Sequence, residues 1–132
     1  MGALHPPLQV SCVMGVVGGI RPSARNLAHM AEQVPAVPHE WGVIGISRDQ
    51  WMLVGAALSL GGNVRVGLED NFYLPEGEMA RSNGDLVARA RRMAEDCGRR
   101  VATVAEARAR LGLRERAALA GEAVTSALRE AK

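Results

Sequence analysis

An arginine and two acids lie close together in the stretch RVGLED, and their spacing suits acid–base chemistry. The stretch follows a glycine-terminated helix and is predicted to form a strand over residues 64–69. Side chains alternate between the faces of a strand, so Arg65, Gly67 and Glu69 are expected to share one face. Because Gly67 has no side chain, the Arg65 stem can extend across it towards Glu69. A guanidinium, a carboxylate and then Asp70 are therefore predicted at the carboxyl end of one strand, where α/β enzymes usually do chemistry.

The same residues also fit an ordinary structural role. A strand with one Arg–Glu pair, followed by an Asp-Asn turn, is common in proteins that use it only for folding. These residues alone leave both interpretations open.

Alternating strands and helices surround this stretch. Strands are predicted over 8–17, 41–47 and 64–69, and helices over 24–34, 50–60, 83–97, 104–111 and 114–132. Strand and helix segments in this order predict βαβ units and a parallel sheet. The carboxyl ends of parallel strands lie at one edge, so residues 15–19, Ser47, Arg48 and 69–71 are expected to converge.

Polar residues and glycines mark the predicted helix ends. Ser23 is a predicted N-cap, and either Ser47 or Asp49 is expected to cap the second helix. Two further starts resemble capping boxes: Ser82 with Asp85, and Thr103 with Glu106. Helix ends are predicted at glycines: Gly61, Gly98 and Gly112.

The glycine-rich segment after the first strand has two interpretations. Gly15, Gly18 and Gly19 can form a tight structural turn, or their backbone amides can contact an anion or cofactor. Their spacing matches neither the dinucleotide fingerprint nor the P-loop pattern.

Composition sets broad limits on function. The chain has 132 residues, which suits one domain, and a net charge of +2. Residues 81–132 are the basic part, with twelve basic and seven acidic side chains, yet they lack the aromatic signature of nucleic-acid binding. Cys12 and Cys97 match no metal or redox spacing, which suits a reducing cytosol. With no predicted membrane span, a cytoplasmic protein without nucleic-acid or membrane partners is expected.

Three segments in order carry a family resemblance: VVGGI, WGVIGISRDQW and GGNVRVGLEDNFYLPEGEMARSN. Over about residues 7–113 the chain resembles the carboxyl-terminal part of the beta-keto acid cleavage enzymes, of the 3-keto-5-aminohexanoate cleavage type. RVGLEDN at 65–71 is the most specific piece. The resemblance implies a (β/α)8 TIM barrel, of which residues 1–113 would supply about three βα units, with an extra helix at 114–132.

The resemblance also implies a reaction and residue roles. Family members use a divalent metal, usually zinc, to cleave beta-keto acids with acetyl-CoA, giving acetoacetate and a new CoA thioester. Glu69 matches a metal ligand that two histidines of a His-x-His pair complete. Asp70 would supply the base, and Arg65 would orient the substrate or relay a proton. Four more residues could line the pocket for the acid or the CoA phosphates: Gly18, Gly19, Ser47 and Arg48.

This chain departs from the family pattern in its histidines and its length. It contains no His-x-His pair, and Asn63 stands where the family usually has a histidine. His5, His29 and His39 stand alone and are expected to be surface or capping residues. A closed barrel needs at least ~200 residues, so a truncated member, a split gene product or a remnant is expected.

Two classes of function follow from these departures. In the first, the chain is a piece of an acyl-transferring enzyme that is inactive alone and needs a complementary amino-terminal segment. In the second, it is a non-catalytic interaction or structural module. Both predict association through open sheet edges, including a homo-oligomer.

Overall fold

The computed structural model describes residues 4–75 and 77–113. These residues form two units, one ending at Val101 and the other beginning at Ala102. The helix predicted over 114–132 lies outside the described residues. A division of the chain into domains 1–113 and 114–132 therefore stays a prediction.

The first unit contains a three-stranded parallel sheet. Its strands are β1 (Leu8–Met14), β2 (His39–Gly45) and β3 (Asn63–Arg65), in the order β1-β2-β3. Cys12 pairs with Val43, and Val43 pairs with Val64 on its other side. The predicted α/β class and parallel strands are confirmed, and the sheet is consistent with part of a TIM-barrel-type domain.

Three helices of the first unit connect and follow these strands. They are α1 (Ala24–Glu32), α2 (Gln50–Ser59) and α3 (Asn83–Asp96). A short 3-10 turn, Ser47–Asp49, leads into α2. The second unit contains α4 (Val104–Arg110). No helix in the described part of the chain is long and apolar enough to cross a membrane.

Helix α2 lies at the centre of the packing because it is apolar on two sides. One side joins the core between the sheet, α1 and α2, formed by Cys12, Met14, Leu27, Val43, Leu53 and Ala57. The other side packs Val54 and Leu58 against Ala94 of α3. Each fully buried aliphatic side chain of this kind contributes roughly 1.5–3 kcal/mol. The two contacts hold α2 in place, and with it the connection that follows β2.

Strands β1 and β2 each end before their predicted limits. The chain leaves β1 after Met14 because Gly15 takes a left-handed φ of +98°. Strand β2 begins at His39, two residues before its predicted start, and ends at Gly45. A Cβ on Gly45 would lie 2.6 Å from the Cα of Gln50, so the close approach of α2 to the strand end requires glycine.

The predicted caps at Ser23 and Thr103 are confirmed. Ser23 Oγ accepts a hydrogen bond from the Asn26 amide at 3.1 Å. Thr103 and Glu106 form a complete capping box, with bonds in both directions. The glycines predicted at helix ends also take left-handed φ values: Gly61, Gly98 and Gly112.

Two other capping predictions need correction. Neither Ser47 nor Asp49 caps α2 through its side chain, because the 3-10 turn leads directly into the helix. At α3, Ser82 Oγ accepts from the Asp85 amide, but the Asp85 carboxylate accepts from the Arg81 amide, one residue before the cap. That box is therefore shifted by one residue.

Candidate active site at the carboxyl end of the sheet

Glu69 and Asp70 lie in a turn and not on a strand, which corrects the strand predicted over 64–69. Strand β3 ends at Arg65. The amides of Asp70 and Asn71 both donate to the Gly67 carbonyl, at 3.0 and 3.1 Å. The side chain of Asn83 accepts from the Leu68 amide at 2.8 Å. The chain can fold back here because its backbone amides find acceptors within the turn itself and on the side chain of Asn83 in α3. The strand ladder does not extend this far.

The turn brings the arginine and both acids together. Nη2 of Arg65 lies 2.5 Å from Oε2 of Glu69, as the sequence predicted, although through a turn and not along one strand face. Nε of Arg65 lies 3.5 Å from Oδ2 of Asp70. The side chains differ in exposure: 55% for Arg65, 80% for Glu69 and 8% for Asp70. One guanidinium thus contacts an exposed carboxylate and a buried one.

The buried carboxylate has an unused acceptor. Among the described residues, Oδ2 of Asp70 has no hydrogen-bond partner. A buried charged oxygen without a donor is costly, and such groups concentrate at functional sites. A carboxylate that is shielded from water and beside a cation can take a proton from a bound molecule. Asp70 therefore has the arrangement expected of a general base.

Backbone hydrogen bonds join the carboxyl ends of the strands. The Ile46 amide donates to the Met14 carbonyl at 3.0 Å, and the Ser47 amide donates to the Asp70 carbonyl at 2.7 Å. Ser47 itself takes a left-handed φ of +59°. The expected convergence is thus observed for Ser47 and Asp70, whereas these bonds reach β1 at its last residue, Met14, and not within residues 15–19.

The four candidate pocket residues are placed differently. Ser47 touches the Asp70 main chain directly. Arg48 is exposed in the same 3-10 turn. Gly18 and Gly19 are exposed in the turn after β1, where the Gly19 amide donates to the Val16 carbonyl.

Sequence reasoning missed two polar residues beside the site. Asn71 and Gln50 are buried and hydrogen-bonded to each other. The sequence predicted Asn71 in a turn among the converging residues 69–71, but not as a buried hydrogen-bonding side chain. The available signal was an amide placed directly after two acids, together with a polar residue at the start of an otherwise apolar helix.

The described residues do not form a zinc site by themselves. Zinc catalysis usually takes three protein ligands. Glu69 offers an exposed carboxylate, but within the described ranges no group of three His, Cys, Asp or Glu side chains could hold a metal. His39 lies at the amino end of β2, opposite the site, with Nδ1 2.8 Å from the Val37 carbonyl.

Comparisons with known proteins bear on this site. The family model for beta-keto acid cleavage enzymes matches residues 1–113. The 3-keto-5-aminohexanoate cleavage enzymes of Fusobacterium nucleatum and Acetoanaerobium sticklandii are 41% and 40% identical, over 86% and 85% of this chain. The 3-oxoadipate:acetyl-CoA acetyltransferase of Cupriavidus necator is 40% identical over 85% of it. The chain spans about two fifths of the length of these relatives, 41%, 41% and 39%. It belongs to the beta-keto acid cleavage enzyme family.

Proposed function

We propose that this chain provides the base and its cationic partner for cleavage of a beta-keto acid by acyl transfer with acetyl-CoA. The relative from Cupriavidus necator is named for acetyl transfer between 3-oxoadipate and acetyl-CoA. In the proposed reaction the products are acetoacetate and a new CoA thioester. A small-molecule beta-keto acid and acetyl-CoA are thus the proposed substrates.

The observation that carries this proposal is the buried Oδ2 of Asp70, which has no hydrogen-bond donor in the described part of the chain and lies 3.5 Å from Nε of Arg65. Proton abstraction next to a carbonyl needs a base shielded from water and a positive charge near the developing enolate. Asp70 and Arg65 supply these two groups. Glu69 holds the same guanidinium from its solvent side and so restricts where it can point.

Each side chain has a defined role in the proposed mechanism. Asp70 takes the proton from the carbon between the two carbonyl groups of the acid. Arg65 orients the substrate carboxylate and offsets the negative charge that forms when the proton leaves. Because Asp70 is 8% exposed, water has little access to compete for its carboxylate.

Glu69 is proposed as one ligand of a divalent metal, usually zinc in such enzymes. The described residues do not complete such a site, and the roles proposed for Asp70 and Arg65 do not depend on it. A bound zinc would polarise the keto oxygen. In this proposal, two histidines on a complementary amino-terminal segment supply the other ligands.

The exposed residues around the carboxyl edge are proposed to hold the acid or the CoA phosphates. Arg48 offers a guanidinium, which binds phosphate well. Ser47 lies next to it, and Gly18 and Gly19 offer backbone at a turn where a phosphate can approach closely.

The test uses this chain combined with an amino-terminal segment that bears a His-x-His pair. Acetoacetate formation from acetyl-CoA and 3-oxoadipate is measured, together with bound metal. Asp70→Asn should lower turnover by about 100-fold or more, as expected for the loss of a general base, while metal stays bound. Glu69→Gln should instead reduce metal occupancy. Asp96→Asn makes the same chemical change as Asp70→Asn, but on the exposed end of α3, and should change neither quantity.

Equal metal content and equal turnover in wild type, Asp70→Asn and Glu69→Gln would show that these roles are wrong. The alternative, a non-catalytic interaction or structural module, predicts a different outcome. The chain would then form a stable metal-free assembly, and no added segment would produce acetoacetate.

A further inference from the structure

Two amide side chains, Gln50 and Asn71, are buried beside the candidate site, with exposed fractions of 0% and 2%. The Asn71 nitrogen donates to Oε1 of Gln50 at 3.3 Å and to the Tyr73 carbonyl at 2.7 Å. The Asn71 oxygen accepts from the Tyr73 amide at 3.1 Å. Nε2 of Gln50 donates to the Gly45 carbonyl at 3.1 Å. We call Gln50 and Asn71 the amide pair.

The amide pair joins segments that are far apart in the sequence. Gly45 is the last residue of β2, Gln50 is the first residue of α2, and Tyr73 lies in the loop beyond β3. Nε1 of Trp51 donates to the same Tyr73 carbonyl at 2.8 Å. The loop after the acids is thus fixed to the first turn of α2.

The main chain places the Asp70 carboxylate. The Asp70 carbonyl accepts from the Ser47 amide, and its own amide donates to the Gly67 carbonyl. The next residue, Asn71, is held by the amide pair. Among the described residues, Oδ2 accepts no hydrogen bond and is held only by its ion pair with Nε of Arg65 at 3.5 Å. The restraints on the flanking backbone therefore help to set how close the carboxylate lies to Arg65.

The hydrogen bonds of the amide pair fix the backbone in one arrangement and contribute little to the free energy of unfolding. Buried polar groups that are fully hydrogen-bonded contribute little net stability over well-packed apolar groups of the same shape. Their bonds are directional, however, and they fix the backbone in one arrangement. This is what a base needs when it must be held close to its productive position.

We propose that Asn71, supported by Gln50, is a positioning residue that keeps the Asp70 carboxylate beside Arg65. The placement is a property of this chain. Only its effect on turnover rests on the proposed function.

The first test compares three variants of the full chain. Asn71→Asp replaces the donor nitrogen by an oxygen that repels the carbonyl of Tyr73 and Oε1 of Gln50. Gln50→Met keeps a similar volume and removes the bond between Gln50 and Asn71 together with the bond to the Gly45 carbonyl. It serves if Asn71→Asp does not fold. The matched control is Asn26→Asp in the first turn of α1, whose side chain donates to the Arg21 carbonyl.

Two readouts separate positioning from general stability. Amide hydrogen exchange at Ser47 should become roughly fivefold to tenfold faster than wild type, since one hydrogen bond is worth about 1 kcal/mol. Exchange at Leu27, whose amide donates to the Ser23 carbonyl, should not change. The Nε–H NMR signal of Arg65 should shift in Asn71→Asp and Gln50→Met. It should stay in place in Asn26→Asp.

Equal acceleration at Ser47 and Leu27, with an unmoved Arg65 signal, would overturn the proposal and leave only a structural role. In the assembled enzyme, Asn71→Asp should lower kcat by at least about tenfold, because small misplacements of a catalytic group are costly. KM should change much less. Unchanged turnover in Asp70→Asn would refute the proposed function alone, because the exchange and NMR results do not depend on activity.

Discussion

Replacing Asp70 by asparagine should stabilise this chain even though it removes the proposed base. Oδ2 of Asp70 is buried without a hydrogen-bond partner among the described residues. Leaving a buried polar group unsatisfied costs roughly 1–3 kcal/mol. The compensation comes from Arg65, which is half exposed and also bonded to Glu69. Because water screens the half-exposed guanidinium, the Arg65–Asp70 pair is expected to be worth roughly as much as an exposed pair, 0.2–1 kcal/mol.

The expected result is the difference between the cost of the unsatisfied carboxylate oxygen and the stabilisation from its ion pair with Arg65. Asparagine removes the charge and keeps an oxygen that can face Arg65. We therefore expect Asp70→Asn to increase the free energy of unfolding by about 1 kcal/mol. For a unit of this size that corresponds to a rise in Tm of roughly 4–8 °C.

Urea unfolding of the chain, followed by the fluorescence of Trp41 and Trp51, measures this change. Arg65→Met should have the opposite sign, because it leaves the buried carboxylate without its cation. Asp96→Asn is the exposed control and should stay within about 0.5 kcal/mol of wild type. A loss of more than about 1 kcal/mol in Asp70→Asn would refute the reasoning, since it would mean that the carboxylate stabilises the fold.

Three further predictions concern stability, thiol reactivity and metal binding. Arg99 donates to three carbonyls at the end of α2. Arg99→Ala should therefore lower the free energy of unfolding by about 2 kcal/mol. A loss no larger than that of the exposed Arg92→Ala would contradict this prediction. Cys97 is exposed, whereas burial raises the pKa of the Cys12 thiol. A thiol reagent should therefore label only Cys97 of these two in the native chain, and both cysteines in urea. Rapid labelling of both in the native chain would show that Cys12 is accessible. The chain alone should bind zinc no more tightly than a single carboxylate allows, so one-to-one micromolar binding in a calorimetric titration would disprove the one-ligand site.

A further prediction concerns association. Strands β1 and β3 are the two edges of the sheet in the described residues. Unpaired parallel edges favour pairing with another chain. Sizing chromatography with light scattering should therefore detect an oligomer, and a monodisperse monomer would count against open edges.

Local patterns in the sequence determined the helix starts, the helix ends and the order of the strands. The caps at Ser23 and Thr103 and the glycines at 61, 98 and 112 depend on groups within a few residues of one another. Such short-range bonds form wherever the right residue types occur at the right spacing. The motif RVGLEDN likewise pointed to the family that the comparisons show.

Only the tertiary structure decided where β3 ends and how the acids are held. The turn after Gly67 depends on Asn83, fifteen residues beyond Leu68. The amide pair joins Gln50 to Asn71 across 21 residues. Neither contact has a fixed spacing that a sequence pattern could indicate, because both form only after the helices have packed on the sheet. That packing, and not the alternation of a strand, places Glu69 in solvent and Asp70 inside.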